Sequence, residues 1–199
     1  PPAAGVVMSA PILIRDALAC DPAWEKEKRA DILVVDGLIA DIGDGRSLQP
    51  APGVAVFDAS NRILMPGLIN THTHGHANLS KGVADLWPLE ASLTNGSWMG
   101  SGRDEEISYL STLLGAADMI SKGYVGCFDL VFAMPEPTPA LFGATARAYS
   151  DAGMRACLAP MVADRTFYQS IPGLLASLPE DLCARVSAMN GPPVELLLD

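Results

Sequence analysis

From residue 11 to about 64, short apolar runs are separated by polar and glycine-containing turns, and this pattern predicts short β-strands. Ile12–Ile14 opens one strand and Asp31–Val35 forms a second. Asp36-Gly37 is a two-residue hairpin signal, because both residue types tolerate the left-handed backbone that such a turn needs. Leu38–Ile42 is the return strand, closed by Gly43-Asp44-Gly45. Val54–Asp58 and Arg62–Leu64 are expected to pair with each other around a polar turn. The result is a small β-sandwich-like module with too few strands to complete a sandwich alone.

At Pro66 the pattern changes to strand, loop and helix in repetition. Leu68–His74 is the first strand, followed by a long loop that contains Trp87, Pro88 and Trp98. Ser101 with Asp104 reads as a capping box. Ile107, Leu110, Leu114 and Ala117 then keep helical spacing until Gly123, which suits the position after a helix end. Tyr124–Val131 is a second strand. Thr138 caps a helix with Pro139 in its first turn, running to about Ala152 before Gly153. Met154–Val162 is a third strand, and 171–189 is helical with a break at Pro179. Strands alternating with helices imply a parallel sheet with right-handed crossovers. The chain therefore divides into residues 1–65 and 66–199. A closed (β/α)₈ barrel takes about 250 residues. Only about 130 follow Pro66, carrying about three strand–helix units. An N-terminal portion of a larger protein is the expectation.

Composition narrows the class. Of the 199 residues, 49% are apolar and 18% charged, enough for packed cores. The formal charge of −10 disfavours a nucleic-acid partner, which calls for a basic stripe. Cys20, Cys127, Cys157 and Cys183 are widely spaced, without a C-x-x-C pair, and are expected to be buried, reduced thiols. No apolar run is long enough to span a bilayer. The apolar run Gly5–Ile14 has no basic segment before it, so no signal peptide and a cytoplasmic location are expected.

The chemistry concentrates in one pentapeptide. All three histidines lie in His72-Thr73-His74-Gly75-His76. In a strand, residues 72 and 74 project to the same face with Cβ atoms roughly 6.6 Å apart. Two imidazoles so placed can converge on one ion, although a catalytic zinc normally takes three protein ligands and a water. The alternative is two polar residues at a strand end, satisfied by neighbours.

These residues resemble the amidohydrolase superfamily. "ILMPGLINTHTHGHAN" (63–78) is similar to the motif that ends its first barrel strand. "GVADLWPLE" (82–90), "GYVGCFDLV" (123–131) and "AGMRACLAPMVADR" (152–165) resemble its cytosine-deaminase and chlorohydrolase-like branch, and "ADILVVDGLIADIG" (30–43) resembles its small β-domain. The resemblance implies a (β/α)₈ barrel with a composite β-sandwich, of which this chain supplies the N-terminal sandwich strands and about the first three β/α units. It implies a divalent metal held by His72 and His74, zinc or alternatively iron, that activates a water for attack on an sp² carbon. It places the remaining ligands and the catalytic acid/base beyond Asp199.

The leading function is thus hydrolytic deamination or dehalogenation of a small nitrogen-rich heterocycle or amidine-like substrate. The alternatives are a binuclear cyclic amide or imide hydrolase, and a non-catalytic scaffold, against which the paired histidines argue. A small-molecule substrate and a homo-oligomeric full-length protein are expected, with no membrane or nucleic-acid partner. His76 is a candidate substrate-binding residue, near the substrate or behind the metal ligands, with a bystander in the loop as the alternative. Trp87, with Trp98 and Met99, is a candidate pocket wall or simply loop packing. Asp129 either orients a ligand histidine or, as the favoured expectation, binds backbone in the loop after its own strand. Asp164 and Arg165 are expected to form a local ion pair. Relatives that grip a ribose carry a glutamate near Ser101, and its absence argues against a nucleoside substrate.

Overall fold

The computed structural model describes residues 10–21, 26–100, 102–132, 138–161, 165–190 and 193. Two compact units, Pro1–Pro66 and Gly67–Asp199, are described separately.

The first unit is one five-stranded sheet, built on β1 (Ile12–Ala19), β2 (Lys28–Val35), β3 (Leu38–Asp44), β4 (Ala55–Asp58) and β5 (Ile63–Leu64). The β2–β3 hairpin forms at Asp36-Gly37, with φ of 51° and 76°, the double left-handed turn expected there. β4 and β5 do not pair with each other. Both run parallel to β1, β4 against Ile12–Arg15 and β5 against Leu18–Ala19. The eight residues of β1 are long enough for both. The turn between them is stitched to β1 by Ala59 N–H on Arg15 O (2.8 Å) and Leu18 N–H on Arg62 O (3.0 Å). Ala19, Ala30 and Ile32 form the buried core of this unit.

Asp31 is the polar keystone of the sheet. Its side chain is fully buried, and its carboxylate accepts the N–H groups of Asp16 (2.8 Å), Arg46 (2.9 Å) and Leu48 (3.0 Å). Asp16 and Arg46 are non-glycine residues at φ of 58° and 64°, so one carboxylate holds two left-handed backbones in place. Burial pushes the Asp31 carboxyl upward, but the three N–H bonds and the charge of Arg15 outweigh it, and the net displacement is downward. A depressed carboxyl contributes stability that is present above its unfolded pKa of about 3.9 and lost as pH falls through the folded value. Asp31→Asn, which turns an amide N–H against that of Leu48, is expected to cost about 2 kcal/mol near neutral pH. Urea unfolding of the full-length protein checks this, and the gap should shrink in acid below pH about 4 as the wild-type carboxylate protonates.

The second unit carries a three-stranded parallel sheet in the order β6 (Leu68–Thr73), β7 (Tyr124–Val131), β8 (Arg155–Pro160). α1 (Leu89–Gly100) occupies what the sequence predicts as loop, so Trp98 and Met99 are helical positions. α2 (Glu105–Ser121) is capped by Asp104, whose side chain accepts Ile107 N–H at 2.8 Å; Ser101, the other half of the expected capping box, lies outside the described residues. Gly102 at φ 77° breaks the backbone just before it, so the helix starts afresh at the next acceptor. α3 (Pro139–Asp151) begins on Thr138 as expected, with Thr138 Oγ1 accepting Leu141 N–H at 3.2 Å.

Beyond β8, the expected single helix is three short ones, α4 (Phe167–Ser170), α5 (Leu174–Ser177) and α6 (Glu180–Ser187). Gly173 at φ 78° and Pro179 separate them. Val162 and Asp164, the expected strand end and ion-pair partner, lie outside the described residues.

α2 and α3 cover one face of the parallel sheet, where Ala116, Met119, Cys127, Tyr149 and Met154 form the core. None of the four cysteines forms a disulfide, but only Cys127 is buried; Cys157 is exposed and Cys20 and Cys183 are partly so. That corrects the expectation of four buried thiols. Among the described residues no helix is long and apolar enough to cross a membrane.

Candidate functional site

The histidines stand at the C-terminal end of β6, and a bulge decides which way they face. Asn70 pairs with Cys127 and reaches the helix layer, where its amide donates to Met119 Sδ at 3.3 Å. Thr73, not His72, then stands opposite Asp129, so β6 holds one residue more than β7 over this stretch. Without that extra residue, His72 and His74 would share the face of Asn70 and point into the helices. With it they turn to the opposite face, where Ile69 and Phe128 are exposed.

On that face the two rings converge. His72 Nε2 and His74 Nε2 lie 3.2 Å apart, and the ring centroids are 5.0 Å apart at nearly a right angle. Two nitrogens bound to one ion at about 2.05 Å and the tetrahedral angle are separated by about 3.3 Å. The spacing fits a shared ion. His74 Nδ1 lies 3.3 Å from Leu130 O, an acceptor only, so Nδ1 carries the proton and Nε2 presents its lone pair. Among the described residues no group of three His, Cys, Asp or Glu side chains is placed to hold a metal ion, so these residues offer a pair of donors.

His76 follows on a 3₁₀ turn (Gly75–Ser80), its ring 5.5 Å from that of His74 and 5.7 Å from that of Phe132. Its Nδ1 accepts Phe132 N–H at 3.4 Å. Burial, the nearby Arg103 guanidinium and His74 push its pKa down to about 4, so the ring is neutral. Arg103 itself donates to His76 O and to Ser80 Oγ. Trp87 closes a turn through its N–H on Ala84 O (3.0 Å), and its side chain is 40% exposed. Among the described residues no ring contact or hydrogen bond joins Trp87 to the histidines.

Asp129 is wholly buried, and it binds backbone as expected but in a different loop. Oδ1 accepts the N–H of Gly75, the residue after His74, at 3.0 Å. Oδ2 accepts the Tyr149 hydroxyl at 2.8 Å. Among the described residues its backbone partner is thus in the loop after β6. Burial raises the Asp129 carboxyl despite these bonds, and burial with the carboxylate beside it drives the Tyr149 phenol far above its ordinary range, so the phenol stays a donor. The Gly75 carbonyl accepts from Ser111 Oγ (2.8 Å) and Asn78 Nδ2 (2.9 Å). Gly75, Ser111 and Tyr149 escape sequence reasoning: a glycine between histidines reads as a strand end, and the other two lie on helix faces 36 and 74 positions away.

The second unit is a parallel sheet covered by helices, with paired histidines at the end of its first strand, and comparison with known proteins gives the family. Residues 63–190 match the amidohydrolase family, and the chain belongs to it. The chain is 34% identical over 158 residues to a 5'-deoxyadenosine deaminase of Methanobrevibacter smithii, a match covering 74% of this chain and 32% of that protein. It is 39% identical over 133 residues to a 5'-deoxyadenosine deaminase of Methanocaldococcus jannaschii, covering 66% and 30%. Among solved structures it is similar to a mutant atrazine chlorohydrolase of Arthrobacter aurescens complexed with zinc and atraton, with a TM-score of 0.70, 20% identity and coverage of 94% of this chain and 41% of that one. It is also similar to an adenosine deaminase of Xanthomonas campestris with bound zinc (TM-score 0.66, 22% identity, 85% and 40% coverage). The chain therefore spans about a third of the length of the curated relatives it matches. Its fold is that of the N-terminal part of the amidohydrolase barrel with its small β-domain.

Proposed function

We propose that the full-length protein is a metal-dependent aminohydrolase that releases ammonia from a nitrogen-rich heterocycle of the adenine type. The observation that carries this reading is the convergence of His72 Nε2 and His74 Nε2, 3.2 Å apart, at the end of the first parallel strand. Catalytic groups of such barrels gather at the C-terminal ends of the strands. The 34–39% identity to proteins named 5'-deoxyadenosine deaminase supports the choice of reaction.

Two imidazoles at tetrahedral spacing suit zinc as the divalent ion. Bound there, the metal supplies Lewis acidity and an activated water. The chain's own residues hold and orient. His72 and His74 each offer Nε2, and Leu130 O fixes the His74 tautomer so that this nitrogen faces outward. His76 is the candidate substrate-side residue, a neutral ring braced on Phe132, and Trp87 a candidate wall. Residues 1–65 are assigned to the composite β-sandwich and 66–199 to the first β/α units of the barrel. The remaining ligands and the acid/base are assigned to the part of the relatives' length that this chain does not span. A cytoplasmic homo-oligomer completes the proposal.

The test is ammonia release by the zinc-loaded full-length protein from 5'-deoxyadenosine and from adenine. Release from at least one of them is expected. A protein that retains zinc but releases ammonia from neither would overturn the reaction assigned here.

A further inference from the structure

We propose that Asp129 and Tyr149 form a positioning pair that aims the metal-binding histidines by gripping the peptide that follows His74; the inference rests on the metal role assigned above to His72 and His74. A fully buried carboxylate needs partners, and Asp129 has two. One is Gly75 N–H, on the residue joined directly to His74, at 3.0 Å; the other is the Tyr149 hydroxyl at 2.8 Å. The other side of the Gly75 residue is held by Ser111 Oγ, which donates to its carbonyl at 2.8 Å. Gly75 is therefore clamped at both its polar groups by side chains from β7 and α2, and the clamp is itself braced from α3.

The clamp lies where β6 stops being a regular strand. Ladder pairing is interrupted between Asn70 and Thr73, so the backbone that carries His72 and His74 has lost the ladder that would otherwise hold its direction. Pairing resumes at Thr73 opposite Asp129, and the Asp129 side chain then takes the next free N–H beyond it. The same residue thus ends the bulge through its backbone and fixes the following turn through its carboxylate. The residue after Asp129 supplies its carbonyl, Leu130 O, which accepts from His74 Nδ1. Loosening the clamp would let the His74 ring swing while the strand behind it stays paired.

The test uses the full-length protein, with zinc affinity read by competition against a chromogenic chelator and ligand geometry by the visible absorption of the cobalt-substituted form. Tyr149→Phe removes one hydroxyl and leaves the packing volume unchanged. It is expected to weaken zinc binding roughly tenfold and to shift the cobalt spectrum, with the circular dichroism of the metal-free protein unaltered. Asp129→Asn is expected to weaken zinc roughly 10–100-fold, the range for losing an outer partner of a metal site. Tyr109→Phe is the matched control, since it removes a tyrosine–aspartate bond of the same length (2.8 Å to Asp151) on the exposed side of the same two helices. It is expected to leave zinc affinity and the cobalt spectrum as in wild type. If Asp129→Asn fails to fold, Tyr149→Phe decides alone. Wild-type zinc affinity and cobalt spectrum in Tyr149→Phe would overturn the inference, whatever happens to its melting temperature. A wild-type protein that binds no zinc would instead sink the metal reading beneath it before any variant is compared.

Discussion

Replacing His72 or His74 by alanine in the full-length protein is expected to abolish metal retention and turnover together. Each substitution removes a direct ligand, so the loss should exceed the roughly 10–100-fold that follows loss of an outer partner. The two variants should behave alike, because the 3.2 Å separation of the Nε2 atoms makes each ring half of one donor pair. Stability should separate them from misfolding variants. His72 is exposed, and its loss leaves no buried polar group unpaired, so the metal-free His72→Ala protein should melt close to metal-free wild type. Metal content after dialysis against a chelator, ammonia release and a melting curve check all three points. Full activity or full metal content in either variant would refute the ligand assignment.

Gly75→Ala is expected to destabilise the protein by about 2–3 kcal/mol, the upper part of the range for forcing one methyl into a packed interior. The backbone there has no positive φ, so the cost is spatial. A Cβ at Gly75 would stand 2.5 Å from Asp129 Oδ2, 3.0 Å from Thr112 Oγ1 and 3.2 Å from the Tyr149 hydroxyl. These atoms are buried, and Asp129 Oδ2 and the Tyr149 hydroxyl bond each other, so neither of those two can retreat without breaking that bond. Gly96, inside α1, is the contrast. Nothing lies within 4 Å of its added Cβ, and Gly96→Ala should be neutral or stabilising by up to about 1 kcal/mol. Thermal melts of the two variants beside wild type check the pair. Equal stability of Gly75→Ala and wild type would show that the cradle is looser than its distances.

The elements legible in the sequence are those whose signals are local. Asp36-Gly37 turns a hairpin because those two residues tolerate left-handed angles wherever they stand. Thr138-Pro139 starts α3 because a hydroxyl acceptor followed by a proline solves the end of a helix within four residues. β7 runs from Tyr124 to Val131 as its apolar run predicts.

The misreadings share the opposite property. α1 forms through Asn95-Gly96, two poor helix formers, so its tendency to coil is overridden by context; Tyr168 donates to Thr94 O across 74 residues. β4 and β5 read as mutual partners because they are neighbours in sequence. They pair with β1 instead, since an eight-residue strand offers each its own stretch of edge. Asp129 was legible as a polar residue wanting a backbone donor, but which loop supplied the donor was not.

The histidine pair shows where the division falls. Alternation along an extended chain puts residues 72 and 74 on one face, and that holds for any strand of this composition. The family pattern around them likewise lies in contiguous residues. What alternation cannot say is which face it will be. That depends on one extra residue in β6, between Asn70 and Thr73, measured against a neighbouring strand more than 50 positions away. It depends equally on a carboxylate in that strand reaching Gly75. Registry between strands and the reach of a buried charge are properties of two segments at once, and only folding brings the two together.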